Sequence, residues 1–437
     1  MENVKSNVNK FLDKNQMNPE SLDMEKTCGI FLEEMKRGLA GEKSSLAMLP
    51  TYIQTERDIP FDKPVIVMDA GGTNFRVATV NFARDGDANI ENFKVFSMPG
   101  LKQRTSKKDF FNTMAGYLDH IIDKSPNVGF CFSYPIEIFP NKDGRVLYFS
   151  KEIKADEVAG QMVGENLNLA LAGSGKGNRK NIILLNDTVA TLLAGRAKVE
   201  GMSFDTFIGL ILGTGTNCSY VEQNKNITKA KDLDPAASQI VNVESGGFGK
   251  APRGKIDKEF DQASVSPGIN IFEKMISGAY LGPLCLSTVQ AAARDGLFSK
   301  GPAANINKIE KLSTKDIDEF MSYPQGKGGP LASALKGAGD DDLSAAYYLI
   351  DRLIERAAKL TAINLSSVSM KSGKGQNPCR PVCIVAEGTT FYKLKSLRQR
   401  VEYYLKDYLV NRKEIFYEIV SVENATLIGA AIAGLTN

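Results

Sequence analysis

The stretch DAGGTNFRV, residues 69–77, follows the apolar run VIVM at 65–68. Glycine enters positive φ at no steric cost and leaves backbone N–H groups uncovered, so a glycine pair suits a plain tight turn and a phosphate-holding loop alike. What comes next separates two kinds of nucleotide site. FRVATVNF (75–82) alternates as a strand does, so these glycines lead from strand to strand. A dinucleotide-binding fingerprint leads from strand into helix, and that class is disfavoured.

The arrangement recurs. FIGLIL (207–212) is an apolar strand, GTGTN (213–217) a turn of small residues, and CSYVE (218–222) the start of another strand. Two strand–glycine–strand hairpins, roughly 140 residues apart, predict a duplicated plan with one copy per domain. VCIVA (382–386) followed by EGTTF (387–391) is a third candidate. Turns of Gly and Thr offer N–H groups and hydroxyls with little bulk, which suits phosphate oxygens, and two of them facing a cleft would grip a triphosphate. Asp69 at the strand end suits the hydrated magnesium of a nucleotide; the ordinary alternative is a turn aspartate capping its own backbone.

Composition sets the frame. A chain of 437 residues, 43% hydrophobic and 24% charged, predicts two globular domains. Net charge is +3 with acids and bases interspersed, so no nucleic-acid partner is expected. No apolar run reaches the roughly 20 residues of a membrane span, and the polar N-terminus does not read as a signal peptide, so the expectation is a cytoplasmic protein with no membrane partner. The six cysteines lie mostly in apolar stretches and read as buried reduced thiols. His120 is the one histidine, in a helical setting, which argues against Ser-His, Cys-His or histidine-rich metal chemistry and assigns acid–base work to a carboxylate. Residues 21–39 read as an amphipathic helix with Met24, Cys28, Phe31, Met35 and Leu39 on one face, and 345–365 as another helix. GSGKG (173–177) fails the phosphate-loop spacing, because Ala170 stands where glycine is needed and Gly177 where Ser or Thr is needed.

IILLNDTVATLLAG (182–195) supplies the candidate base. A buried strand brings Asn186 and Asp187 to its carboxyl end just before a helix, where ligand sites of α/β sheets lie. Asp187 is then either the helix N-cap or a general base accepting the proton of a substrate hydroxyl that attacks phosphorus.

In these motifs the chain resembles the ATP-dependent hexokinases of the sugar kinase and actin superfamily. SSLAMLPTYI (44–53) is similar to the family segment ahead of the first phosphate loop, and DAGGTNFRV to that loop. FSYP (132–135) with YFSKEIKA (148–155), then LNDTVATLL, LGTGTNCSYVE, VNVESGGFG (241–249) and SPGINIFEKMISGAYLG (266–282) follow in the family's order over nearly the whole chain. The resemblance implies an α/β fold of two actin-like (ribonuclease H-like) domains around a central cleft. It implies ATP and Mg2+, a hexose substrate, and a monomer or weak dimer. The expected division is a helical segment over 1–61 packed on the large domain, a small domain over 62–194, a large domain over 195–419, and a helix over 420–437 returning to the small domain.

The implied catalytic residues are Asp187, as base on the 6-hydroxyl, and Lys151, whose charge lies near the transferring group. Ser133, Ser150, Lys151, Asn186, Asp187, Asn217, Glu244 and Glu273 would hold the sugar. Asp69, Gly71, Gly72, Thr73, Asn74, Arg76, Gly213, Thr214, Gly215, Thr216, Gly388 and Thr389 would hold the nucleotide, with Asp69 reaching magnesium through water. The family's Thr-Lys pair is Ser150-Lys151 here, its glutamate after YLG is Pro283, and its aromatic after the first sugar glutamate is Ser245, so that Gly246-Gly247 would make a roomier or more mobile loop. EGTTFYKLK matches the family's adenosine segment only loosely, and the cysteine-rich zinc loop of the repressor-and-kinase glucokinases is absent. The rivals are a hexokinase-like sugar sensor or regulator and an actin- or chaperone-like ATPase; the intact Asp187, Lys151 and phosphate loops oppose the first, and Glu244 and Glu273 the second.

If both hairpins hold phosphate, replacing Thr73 or Thr214 by valine weakens ATP binding far more than sugar binding. Titration calorimetry with each ligand checks this, and equal losses for the two would contradict it.

Overall fold

The computed structural model describes residues 2–84, 86–149, 153–175, 178–197, 202–326 and 328–437. Two five-stranded arrangements share one plan. In the first half, β1 (Val65–Gly71), β2 (Asn74–Phe82), β3 (Ala88–Ser97), β4 (Asn127–Phe132) and β5 (Asn181–Leu185) form a sheet in the order β3-β2-β1-β4-β5. β1 runs antiparallel to β2 and parallel to β4, and β5 continues the parallel side. In the second half, β6 (Thr206–Leu212), β7 (Thr216–Gln223), β8 (Ser238–Asn242), β9 (Val382–Glu387) and β10 (Tyr417–Val420) repeat that order as β8-β7-β6-β9-β10. Leu49–Pro50 adds a short antiparallel edge beside β8. Both sequence-read hairpins are therefore present, and they hold equivalent positions in two copies of one topology.

The third is not. After β9 and Gly388 the chain enters a short helix, Thr389–Lys393, rather than a strand. EGTTF is rich in residues that favour strands, but the Thr390 hydroxyl donates to the Gly213 carbonyl at 2.9 Å, and this tertiary contact docks the helix on the second hairpin.

Five of the helices bear on the site and its support. α1 (Glu2–Lys14) and α2 (Met24–Ala40) pack with the second half's core, to which Phe11, Cys28, Phe31 and Met35 belong. α2 starts at Met24 because the Asp23 side chain accepts from Lys26 N at 3.0 Å; residues 19–21 form a separate short turn. α3 (Asp187–Ala194) follows β5. α4 runs from Asp340 to Ser372, well beyond the expected 345–365, with three aspartates in its first turn and Gly373 in left-handed conformation just past its end. α5 (Ala425–Thr436) comes last.

α3 and α5 fill the space between the two sheets. Their apolar residues share one cluster with Val65, Val67 and Ile183 of the first sheet and with Ile240, Cys383 and Val385 of the second. From Thr188 to Ala194 every residue of α3 is fully buried. Such contact requires bare backbone on both flanks. A Cβ on Gly209 of β6 would lie 2.2 Å from the Thr188 carbonyl oxygen, and one on Gly429 of α5 would lie 1.8 Å from that of Ala190. The Ser219 hydroxyl donates to the Thr188 carbonyl at 2.8 Å. Five of the six cysteines are buried thiols and Cys379 is exposed. No helix of the described residues is long and apolar enough to cross a membrane.

Gly429→Ala is expected to destabilise the protein by about 3 kcal/mol, the upper end for forced overpacking. Gly29→Ala in α2, where a Cβ meets nothing within 4 Å, should stabilise by about 0.5–1 kcal/mol. Denaturant unfolding of both variants checks the pair; a neutral Gly429→Ala would contradict the packing described.

Candidate active site

The parallel strands of the first sheet deliver one row of polar residues. Register pairs Asp69 with Cys131 and Cys131 with Leu185, so Asp69, Cys131 to Ser133, and Asn186-Asp187 lie side by side at or just beyond the carboxyl ends of β1, β4 and β5. Asp69 is buried, and that desolvation pushes its carboxyl above the ordinary value. The Arg76 guanidinium at 3.3 Å, its partner across the hairpin, and the Thr426 hydroxyl at 2.9 Å oppose the rise. The Cys131 thiol is pushed well up, by burial first and then by the carboxylates of Asp69 and Asp187. Asp69 and Asp187 thus flank one buried thiol.

At the start of α3 the N-cap is Asn186, whose side chain accepts from Thr188 N at 2.9 Å. Asp187 is the first helical residue, and its Oδ1 also accepts from Thr188 N at 2.8 Å. The capping role offered for Asp187 belongs to its neighbour. Both residues are half-buried.

From here a polar chain runs into the second half. The Thr188 hydroxyl donates to Asn186 Oδ1 at 2.6 Å and approaches Asn242 Oδ1 at 3.5 Å. Asn217 Nδ2 donates to Asn242 Oδ1 at 2.8 Å and to Glu244 Oε1 at 3.1 Å, and Asn242 Nδ2 donates to Glu244 Oε1 at 2.6 Å. Asn217 Oδ1 in turn accepts from Cys218 N at 2.7 Å. Glu244 stands at φ 57° and ψ 47°, a left-handed conformation that costs a non-glycine residue on the order of 1 kcal/mol. Burial raises its carboxyl above the ordinary value; the amides of Asn242 and Asn217 pull it down, and Glu273 pushes it up again.

Glu273 closes the same group from the other side, its Oε2 accepting from Thr216 N at 2.9 Å. The loop after Glu244 is not roomy. Ser245 is fully buried, its hydroxyl accepts from Asn364 Nδ2 at 3.3 Å, and a Cβ on Gly246 would lie 3.0 Å from the Thr216 carbonyl oxygen. Removing the aromatic lets the backbone close in, so the small residues fill with main chain the space a ring would need.

The second hairpin's turn is fixed by backbone. Gly213 O accepts from Gly278 N at 2.8 Å, Thr214 O accepts from Ala279 N at 3.0 Å, and the alpha carbon of Gly388 lies 3.5 Å from where a Cβ on Gly213 would be. Gly388-Thr389 therefore adjoins the Gly213–Thr216 turn. Thr73, Asn74, Thr214 and Thr389 are exposed, as groups awaiting a ligand need to be. Ser150 and Lys151 lie outside the described residues. SSLAMLPTYI, ahead of the first hairpin in the sequence, borders the Glu244 loop in space, with Met48 N donating to the Val243 carbonyl at 3.3 Å.

Sequence reading missed Thr188, Asn242 and Thr426. Thr188 and Asn242 lie inside quoted motifs and carried a faint signal as hydrogen-bonding residues beside chosen ones; Thr426, far along the chain from Asp69, carried none. Among the described residues no group of three or more His, Cys, Asp or Glu gathers as a metal cluster would. A hollow of about 520 Å³ lined by Tyr323, Leu343, Tyr347 and Tyr348 lies on residues outside this constellation.

Two family models, each described as hexokinase, match residues 7–197 and 207–436. The chain belongs to the hexokinase family. That is a family of ATP-dependent sugar kinases, and the two sheets are its pair of actin-like lobes. Rice Hexokinase-5 is 29% identical over 368 residues, 79% of this chain and 72% of that protein. Horse Hexokinase-2 is 28% identical over 85% of this chain and 42% of its own length, and rat Hexokinase-3 is 30% identical over 83% and 40%. The chain spans less than half the length of these mammalian hexokinases. A solved hexokinase from Schistosoma mansoni, complexed with glucose, superposes with a TM-score of 0.77 at 24% identity over 99% of both chains, which shows a common fold.

Glu244 gives a pH test. Its folded pKa is raised above the ordinary 4.5, so the protonated form is the stabilising one; that contribution is complete below about 4.5 and is lost as pH rises through the raised value. Glu244→Gln cannot suffer this loss. Without ligand, the variant should be at least as stable as the parent at pH 7 to 8, with its advantage shrinking toward pH 4.5. Thermal unfolding across that range checks it, and a clear loss of stability at pH 7 would contradict the assignment.

Proposed function

We propose that this hexokinase transfers the γ-phosphoryl group of MgATP to the 6-hydroxyl of a hexose, D-glucose first among them. The observation that carries the reading is the polar chain from Asn186-Asp187 through Thr188, Asn242 and Asn217 to Glu244, flanked by two glycine–threonine hairpins. A hexose is a ring of hydroxyls, each both donor and acceptor. Amides and carboxylates match it: Glu244 and Glu273 accept from sugar hydroxyls, Asn186 and Asn217 do both, and Ser133 adds a hydroxyl. A site that leaves such groups unpaired when a hydroxyl is missing rejects the analogue.

Asp187 is the base. As O6 attacks the γ-phosphorus, the O6–H proton passes to the Asp187 carboxylate, the O6–P bond forms, the bond from phosphorus to the bridging oxygen breaks, and ADP leaves with that electron pair. Backbone N–H groups of the two turns, those of Thr73, Thr214 and Gly215 among them, hold the phosphate oxygens, and the positive charge of Lys151 meets the charge developing on the transferred group. Magnesium, when bound with the nucleotide, would neutralise phosphate charge. Asp69 fits as its holder through water, because its buried carboxyl is destabilised as an anion and a nearby cation would relieve that cost. Closure of the halves around the sugar excludes water, the competing acceptor.

Asp187→Ala should lower kcat by about 10²–10⁴ while leaving the fold intact, the usual effect of losing a general base. Steady-state assay of ATP-dependent hexose phosphorylation, with circular dichroism as fold control, checks this. Near-normal turnover would leave Asp187 only a role at the helix start.

A further inference from the structure

The tip of the first hairpin is thinly supported. Gly72 stands at φ 63°, and a Cβ there would meet nothing within 4 Å. Two hydrogen bonds reach the tip from outside the hairpin among the described contacts. Met98 N donates to the Thr73 carbonyl at 3.0 Å, and the Tyr134 hydroxyl donates to the Gly72 carbonyl at 2.6 Å. The second comes from the strand end that carries Ser133. There Ser133 N donates to the Ala70 carbonyl at 3.1 Å, extending the β1–β4 ladder by one residue. The Tyr134 ring itself is held firmly: it is 2% exposed and packs against Phe132 and Phe149, each with centroids 5.2 Å away. Burial pushes its phenol up to about 12, so the hydroxyl remains a donor throughout the working pH range.

We infer that Tyr134 is a positioning residue whose hydroxyl couples hexose occupancy at Ser133 to the shape of the first phosphate loop at Gly72. The inference rests on the reading above, in which Ser133 meets sugar and residues 71–74 meet phosphate. Ser133 and Tyr134 are adjacent on one short extended segment, so a ligand that fixes Ser133 also fixes the Tyr134 backbone and, through a packed ring, its hydroxyl. The Gly72 carbonyl follows, and with it the orientation of the neighbouring peptide N–H that would face phosphate. Because coupling between two ligands is reciprocal, nucleotide on the loop must tighten hexose by the same factor that hexose tightens nucleotide.

The test is Tyr134→Phe, which keeps the ring and its packing and removes only the donor. Calorimetry gives the dissociation constant of a non-hydrolysable MgATP analogue with and without saturating glucose, and that of glucose with and without the analogue. In the parent protein glucose should tighten the analogue. In the variant, that factor should fall about fivefold, as expected for one net hydrogen bond, and glucose affinity without nucleotide should stay within twofold. A coupling factor equal to the parent's overturns the inference, as does an equal loss of analogue affinity with and without glucose, which would make Tyr134 a static support. A parent protein that binds no glucose overturns the functional reading and the inference with it, so the two failures are distinguishable.

Discussion

The burial of α3 from Thr188 to Ala194 between two sheets is the constraint on which the site depends. A helix solvated on one side can shift by fractions of an ångström without breaking anything. One enclosed from Thr188 to Ala194 cannot, because protein interiors are close-packed and yield little. Val189, Leu192 and Leu193 alone contribute several kcal/mol of apolar burial. The backbone contacts at Gly209 and Gly429 fix the helix against β6 and α5 at once. Its first turn therefore has one position relative to both halves. Asn186 caps the orphan N–H of Thr188, and the carboxylate beside it is held at the junction between the halves.

Around that fixed point, charge is arranged in a way stability alone would not select. Asp69 and Glu244 are both pushed up by burial, and Glu244 is held by the amides of Asn217 and Asn242, with no cation hydrogen-bonded to it among the described residues. Glu273 nearby makes matters worse for it. A buried carboxylate satisfied by amides keeps much of its desolvation cost until a ligand brings hydroxyls or a cation. The left-handed backbone at Glu244 adds strain in the same place. At Glu244 a raised carboxyl and a strained non-glycine backbone coincide on the polar chain, a combination that clusters at functional sites.

Much of this was legible in the sequence because it was local. VIVM and FIGLIL are short apolar strands, and their glycine turns and alternating partners give two hairpins without any tertiary information. The position of Asn186-Asp187 followed from a strand-to-helix junction, which the structure has at that place. What failed was set by contacts between distant residues. EGTTF has strand-forming composition, yet Thr390 docks on Gly213 and a helix results. Asn186 and Asp187 are equally good caps on paper, and only the helix start at Asp187 gives the role to Asn186. The loop at Gly246 was expected to be open because it lacks bulk, whereas the absence of bulk let main chain pack there. Thr426 reaches Asp69 only because α5 returns between the sheets, and nothing near Asp69 announces it.

The central claim is that this geometry directs a phosphoryl group to a sugar and not to water. Phosphorus NMR of the protein with MgATP, with and without glucose, tests it most directly. The account predicts that ADP and a glucose ester phosphorylated on the 6-oxygen appear in equal amounts when glucose is present, with free phosphate and ADP forming far more slowly without it. ATP hydrolysis to free phosphate at the same rate in both samples, or no phosphate ester with glucose present, would contradict it.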